Sequence, residues 1–442
     1  MVSIHKFGGS CLSTPDDIEA ICARIAAQPG EIVAVVSAFH GVTDRLIEQL
    51  HAGDTRNIDA FVSAIELHHI ERVPQITESV WHEQFRATLT KLADALHTYA
   101  VTPTREGRAQ TLACGERLSS LCIAAALNAF GTAGTPAWSE DVGIRLDGVG
   151  EAAVVDIEAT RANLDLPKGA VPILTGWYGM SGEGLALLGR GGSDLTATSL
   201  GAVMDAEEVT IWRDVPGVLA LAPRWSLPSR NVNYLSYTEA AELALFSEPM
   251  LHPIAVEPLR DLGIPLRLRP LHQPEAVGTQ IGPSISTDTD QMVRAIGCLP
   301  HLVPITWRLS SAVSLATIVG EATQILARAR IRVWSLRAKP GEARLLIDSR
   351  SALRATRLLE RMSGLPMPEV GDEISLICFV GEEIGWNVDA KSRIQSVADE
   401  YNLDLRPFDE GLRPHALQFT MPAGRTEAVL RRICEALGLL TM

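Results

Sequence analysis

The hydrophobic positions change period several times along the chain. A short apolar start ends in "HKFGGS", and "TPDDIEAICARIAA" follows, with Ile18, Ile21, Cys22 and Ile25 on one helical face. Thr14 is placed to cap that helix, with Pro15 as its first residue and acids in its first turn. "IVAVVSA" (32–38) is a continuous, valine-rich run, the pattern of a strand buried on both faces. Runs of the same kind return at "AVPILTGW" (170–177) and "EVTIWRDV" (208–215), and helical patterns lie between, at 118–130 and 194–204. Buried strands alternating with helices predict an α/β sandwich that binds its ligands at the strand ends.

Beyond "GPSISTDTDQ" (282–291), a polar stretch of small residues, the units become shorter. Strands are predicted near 303–309, 331–336 and 343–348 with a helix at 351–363. A second set follows, with strands near 373–379, 403–407 and 415–420 and helices at 389–401 and 424–437. Two similar modules of about 70 residues suit the usual domain scale.

Composition narrows the setting. A chain of 442 residues with 46% hydrophobic and 21% charged residues is that of a globular protein of two or three domains. Its apolar runs are far shorter than the roughly 20 residues that cross a bilayer. Lys6 and its glycines do not read as a signal peptide. Seven cysteines without CxxC spacing predict neither a disulfide framework nor a zinc knuckle, so a cytoplasmic location is expected. A net charge of -14 argues against nucleic acid or anionic membrane as partner.

Only five of the 39 basic residues are lysines, yet one of them, Lys6, stands beside Gly8 and Gly9. A compact ammonium approaches a phosphate differently from a planar guanidinium. A phosphate site needs converging backbone N–H groups, a helix N-terminus and a cation, and "KFGGS" before a capped helix supplies all three. "LLGRGGSDLTATSLGAVM" (187–204) is a second such site, where Gly191 and Gly192 bring amides close, Ser193 or Asp194 opens a helix and Arg190 adds a planar cation. Neither a GxxxxGK[ST] loop nor the protein-kinase elements occur.

The ordered set "KFGGS" (6–10), "VVSAFHGVTDRL" (35–46), "GERLSS" (115–120), "GRGGSDLTA" (189–197), "WRDVPGV…APR" (212–224) and "LSYTEAAELALF" (235–246) resembles the aspartate kinases. The match runs over roughly the first 280 residues, and the tail resembles the paired ACT modules of that family. The resemblance implies an α/β fold: an amino-acid-kinase three-layer sandwich over 1–283, then two small α+β ACT-like modules over 284–370 and 371–442. It implies transfer of the ATP γ-phosphoryl group to the side-chain carboxylate of aspartate, with Mg2+ bridging phosphate oxygens. Lys6 and Asp194 match the catalytic positions, and Ser37, Thr43, Glu116 and Arg190 the amino-acid site. Gly8, Gly9, Ser10, Gly191, Gly192, Ser193, Arg213, Asp214 and Arg224 match the phosphate and nucleotide side. A homodimer or higher homo-oligomer, and an amino-acid effector at the ACT-like modules, are further implications.

The donor side departs from the family pattern. Arg213 stands for a threonine, Leu219 for an aromatic residue, Ala222 for an acid and Pro249 for a phosphate-contacting lysine. Ala186 and Leu187 replace two hydroxyl residues before the second glycine turn. Two readings of Arg213 stay open: a replacement cation for the nucleotide, or a solvated strand end. Two alternatives to the aspartate kinase also stay open: a kinase for another amino acid, and a binding protein with little turnover. "ELHHIERV" (66–73) lacks metal-ligand spacing, so His68, His69 and Glu71 are expected on a surface helix. Cys114 is expected as a packing residue, and His40 as a loop histidine.

Overall fold

The structure is a computed structural model describing residues 2–53, 55–148, 153–246, 253–285, 292–308, 315–361, 366–409 and 413–441. It divides into two compact units. One comprises Met1–Leu219, Asn231–Ala244 and Pro249–Ser286, and the other Ala220–Arg230, Leu245–Glu248 and Thr287–Met442.

The first unit is built on an eight-stranded sheet. Its strands are β1 (Val2–Phe7), β2 (Glu31–Val36), β3 (Gly134–Ala137), β4 (Val171–Thr175), β5 (Glu208–Arg213), β6 (Tyr234–Ser236), β7 (Leu266–Pro270) and β8 (Thr279–Gly282). They lie in the order β6-β8-β7-β5-β1-β2-β4-β3. The pairs are parallel except β7 with β8. Lys6 and Phe7 on central β1 lie level with Val35 and Val36 on β2, and with Ile211 and Trp212 on β5. The carboxyl ends of adjacent strands therefore deliver Gly8, Ser37 and Asp214 to one edge of the sheet, where open α/β sheets place ligands.

Helices cover both faces, giving the three layers. On one face, α1 (Pro15–Ala26) and α2 (Arg105–Ala129) join a core of Phe7, Val36, Leu118, Leu121 and Ile173. On the other, α3 (Gly192–Val203) packs on β1 and β5. The 25-residue α2 begins 13 residues before the helical pattern at 118–130. From Thr111 to Leu127 all its described positions are buried, so the amphipathic stripe that announces a helix is missing.

The start of α1 matches its expected cap. Thr14 accepts from the Asp17 amide at 3.2 Å, and the Asp17 carboxylate takes the Thr14 amide at 2.9 Å, a reciprocal capping box. His272 Nε2 lies 2.6 Å from the other Asp17 oxygen. Burial raises the Asp17 pKa, but bonds from His272, Thr14 and Ser13 outweigh it and hold the carboxyl below its ordinary range. This network anchors the helix behind the first glycine turn. Thr14→Ala is expected to lose about 1 kcal/mol of stability, read as a lower urea midpoint with an unchanged slope.

The second unit holds one seven-stranded sheet. Strands β9 (Ala295–Arg308), β10 (Val333–Lys339), β11 (Glu342–Asp348), β12 (Ile374–Val380), β13 (Arg406–Asp409) and β14 (Ala416–Pro422) run in the order β10-β11-β9-β12-β14-β13, and Glu369–Val370 adds a short pairing to β9. Strand β9 starts earlier than the pattern at 303–309. Its first part pairs with β12 and its last with β11, and the register shifts between Leu299 and Leu302, where His301 has φ +58°. That irregularity, beside Pro300 and Pro304, breaks the alternation a single strand would show. Helices Leu315–Arg328 and Ser349–Leu359 enclose a core of Ile305, Trp307, Ile318 and Ile347. Among the described residues, no helix is long and apolar enough to cross a membrane.

Candidate active site

A cleft of about 370 Å³ opens at the carboxyl edge of the first sheet. Lys6, Gly9, Ser10, Ser37, Thr43, Glu116, Arg190, Gly191, Gly192, Ser193 and Asp194 line it, so these sequence-picked residues meet in one place. Gly8 lies behind the lining, its carbonyl accepting from the Cys11 amide at 2.9 Å. A Cβ at Gly9 would come 3.3 Å from the Ala38 carbonyl oxygen, and one at Gly192 only 2.5 Å from the Trp177 ring. The second turn is thus a place where only glycine fits.

Helix α3 starts at Gly192, with Gly191 in left-handed backbone (φ +71°) at its cap. This corrects the expected start at Ser193 or Asp194. No side chain caps the helix; the Gly192 amide donates to the Gly189 carbonyl at 3.1 Å, and the amides that follow it point past the cap. The helix Val42–Ala52 also begins at the cleft, after Gly41 with φ +76°. Free helix N-termini and glycine turns favour anions.

At the floor, Lys6 Nζ lies 2.6 Å from Asp194 Oδ1, and both residues are buried, at 6% and 5% exposure. Arg213 NH2 reaches the other oxygen, Oδ2, at 2.7 Å. Burial alone would raise the Asp194 pKa, but Lys6 and Arg213 hold it below the usual carboxylate range. The Arg213 side chain is 18% exposed, so it is not the solvated strand end that one of its two readings foresaw. It closes a cation–carboxylate–cation row. Asp214, next along, is exposed and accepts from the Ser10 hydroxyl at 3.0 Å, tying the end of β5 to the first glycine turn.

Glu116 sits on α2 at 2% exposure. Gly115 lets the helix approach the 37–41 loop, since a Cβ there would come 3.1 Å from the Ala38 methyl. Burial pushes the Glu116 carboxyl up to about 8, against smaller opposing effects of the Ala38 backbone bond and Lys6. Its Oε2 is buried without a hydrogen-bond partner. Such an acid, proton-bearing at pH 7, is poised to ionise when a cation enters.

The remaining expectations fall elsewhere. Arg224 belongs to the second unit, where its guanidinium donates to the Cys298 carbonyl. Leu219 is half-buried in the first unit and Ala222 buried in the second. Ala186 and Leu187 end the hairpin formed by Tyr178–Ser181 and Gly184–Leu187. Pro249 lies outside the described residues. His69 corrects the surface-helix expectation: it is fully buried and stacks on Phe39 at 4.8 Å between ring centroids. Its helix, Ile58–Arg72, has no pronounced apolar face, so nothing in the sequence pattern marked this position as inward. No group of metal-ligating side chains occurs among the described residues. None of the seven cysteines forms a disulfide and all are buried, with Cys114 packed beside Arg117. Sequence reading missed Phe39 and Trp177, which also line the cleft. Trp177 directly follows a strand-end glycine, as a ligand loop does, but it reads equally well as the end of an apolar run.

Similarity to known proteins agrees with this geometry. Aspartokinase 2, chloroplastic, of Arabidopsis thaliana is 30% identical over 298 residues, 64% of this chain and 54% of its own. The chain spans about half the length of the Arabidopsis chloroplastic aspartokinases it matches. Lysine-sensitive aspartokinase 3 of Escherichia coli is 25% identical over 451 residues, 98% of each chain. The crystal structure of E. coli aspartokinase III with aspartate and ADP superposes with a TM-score of 0.82 at 23% identity, covering 99% of this chain and 100% of that one, and shows the same fold. The profile of the amino acid kinase family matches residues 1–270, the stretch that holds seven of the eight strands of the sheet, both glycine turns and the Lys6–Asp194 pair. The chain belongs to the amino acid kinase family.

Proposed function

We propose that the protein transfers the γ-phosphoryl group of ATP to the side-chain carboxylate of L-aspartate, giving 4-phospho-L-aspartate and ADP. The observation that carries this reading is the buried Lys6–Asp194–Arg213 row at the floor of a cleft walled by two glycine turns. An aspartate carboxylate oxygen attacks the γ-phosphorus, the bond from that phosphorus to the β–γ bridging oxygen breaks, and the electron pair leaves with ADP. The acceptor is already ionised, so no base is needed, and catalysis rests on position and charge. Lys6 neutralises charge on the transferring group while Asp194 fixes its ammonium. Amides of the Gly9 and Gly192 turns donate to phosphate oxygens. Ser10 and Asp214, joined at the end of β5, stand on the nucleotide side.

Mg2+ would travel with the phosphates, neutralising their oxygens, and the exposed Asp214 carboxylate suits contact with a hydrated ion. Arg190, exposed at the rim, takes the α-carboxylate, and Ser37 and Thr43 complete the amino-acid site. Glu116 receives the α-ammonium. The second unit is read as regulatory, in keeping with the lysine-sensitive name of the E. coli relative, and as a surface for self-association.

The test is hydroxylamine trapping. ATP-dependent aspartyl hydroxamate is the expected product, and its absence with both ATP and GTP would end the reading. A second expectation concerns pH. Below about 8 Glu116 holds its proton, and pairing with the substrate ammonium must expel it. The KM for the amino acid should therefore fall as pH rises from 6 to 8, by up to about tenfold per pH unit, then level off. Glu116→Gln should raise KM and flatten the profile. A wild-type profile flat across that range would remove the ammonium role.

A further inference from the structure

Trp177 is the bulkiest residue lining the cleft, and its backbone is held where L side chains rarely lie, at φ +71°. Three contacts fix it there. Its amide donates to Thr196 Oγ1 at 3.1 Å, and its carbonyl accepts from the Leu188 amide at 2.7 Å. Its ring lies against the bare Cα of Gly192, where a Cβ would come within 2.5 Å. The preceding residue, Gly176, is pressed as closely by Ser193. Rare backbone geometry held this firmly at a cleft is a hallmark of functional position. Here it wedges an indole beside the Gly191–Gly192 turn.

The sheet order says which end of the cleft the indole closes. Asp214 ends β5, Lys6 lies on β1, Ser37 follows β2 and Trp177 follows β4, and these strands are neighbours in that sequence. Trp177 therefore lies at the far end from Asp214, beyond the lysine that meets the phosphoryl group. That is the acceptor end, shared with Ser37. A rigid indole lining the cleft there acts by occupying volume.

We propose that Trp177 is a specificity-determining residue whose indole limits the acceptor to a four-carbon dicarboxylic amino acid and excludes the homologue one methylene longer. The proposal rests on the kinase reading. It requires no change at the donor end, so a loss of indole volume should alter acceptor choice without altering ATP use.

The experiment compares wild type, Trp177→Phe and Trp177→Leu by hydroxamate formation with L-aspartate and L-glutamate. The ratio of kcat/KM for aspartate over glutamate should fall by about tenfold or more in Trp177→Leu, by less in Trp177→Phe, at a constant KM for ATP. An unchanged ratio in both variants, with wild-type product from aspartate, overturns this proposal alone. If the variants lose turnover, calorimetric binding of the two amino acids in the presence of ADP gives the same ratio, and an unchanged value overturns the proposal equally. No product from aspartate with the wild type takes down the kinase reading and this proposal with it.

Discussion

Lys6→Ala is expected to lower turnover by about 10³-fold or more while the protein stays folded. The ammonium is buried at the floor of the cleft, 2.6 Å from Asp194, where water screens it poorly. Its partner would not be stranded. Asp194 keeps the Arg213 contact at 2.7 Å, so the usual penalty for leaving a lone buried charge is averted. Thermal unfolding should therefore shift little while kcat collapses. Lys6→Arg is not expected to restore it, because a planar guanidinium does not fill the place of a compact ammonium beside Gly8, whose Cβ position lies 3.1 Å from Nζ. A Lys6→Ala protein turning over within tenfold of wild type would remove Lys6 from the chemistry.

Arg213→Ala is expected to weaken ATP binding by about 10- to 100-fold, with a smaller effect on the KM for the amino acid. Arg213 ends the strand that leads to Asp214, and its guanidinium donates to Asp194 at 2.7 Å. Without it, Asp194 has Lys6 as its charged partner and competes with the phosphates for that ammonium. Two effects thus act in one direction: a cation is lost, and the remaining one is held harder. Titration calorimetry with ATP, with and without Mg2+, reads this directly. Unchanged affinity would leave Arg213 as a structural brace for Asp194.

The parts of the site set by local rules were legible in the sequence. Thr14, Pro15 and Asp17 spell out a capped helix, and the cap is there with both bonds formed. Lys6, Ser37 and Asp214 sit at or just past apolar runs that became neighbouring strands, so their convergence followed from an α/β reading. What local pattern does not carry is contact across the sheet. Arg213 and Asp194 lie 19 residues apart, and only packing of α3 against β5 reveals that they share a carboxylate bond. The length of α2 was hidden because from Thr111 to Leu127 the helix is buried on every side and has no polar face to set its period. Nor does local pattern show that Arg224, which matches the nucleotide side by motif, lies in a stretch, Ala220–Arg230, that packs with the second unit, where Ser229 pairs with Leu440.

The central claim is that a carboxylate oxygen of aspartate attacks the γ-phosphorus, and oxygen labelling tests it most directly. Aspartate carrying ¹⁸O in its side-chain carboxylate is turned over with ATP and Mg2+ in the presence of hydroxylamine. Hydroxylamine displaces phosphate from the acyl carbon, so the phosphate leaves with the oxygen that bridged it. The account predicts inorganic phosphate bearing one ¹⁸O atom, formed in step with aspartyl hydroxamate. Phosphate released without label would mean that water, not the carboxylate, attacks, and would contradict it.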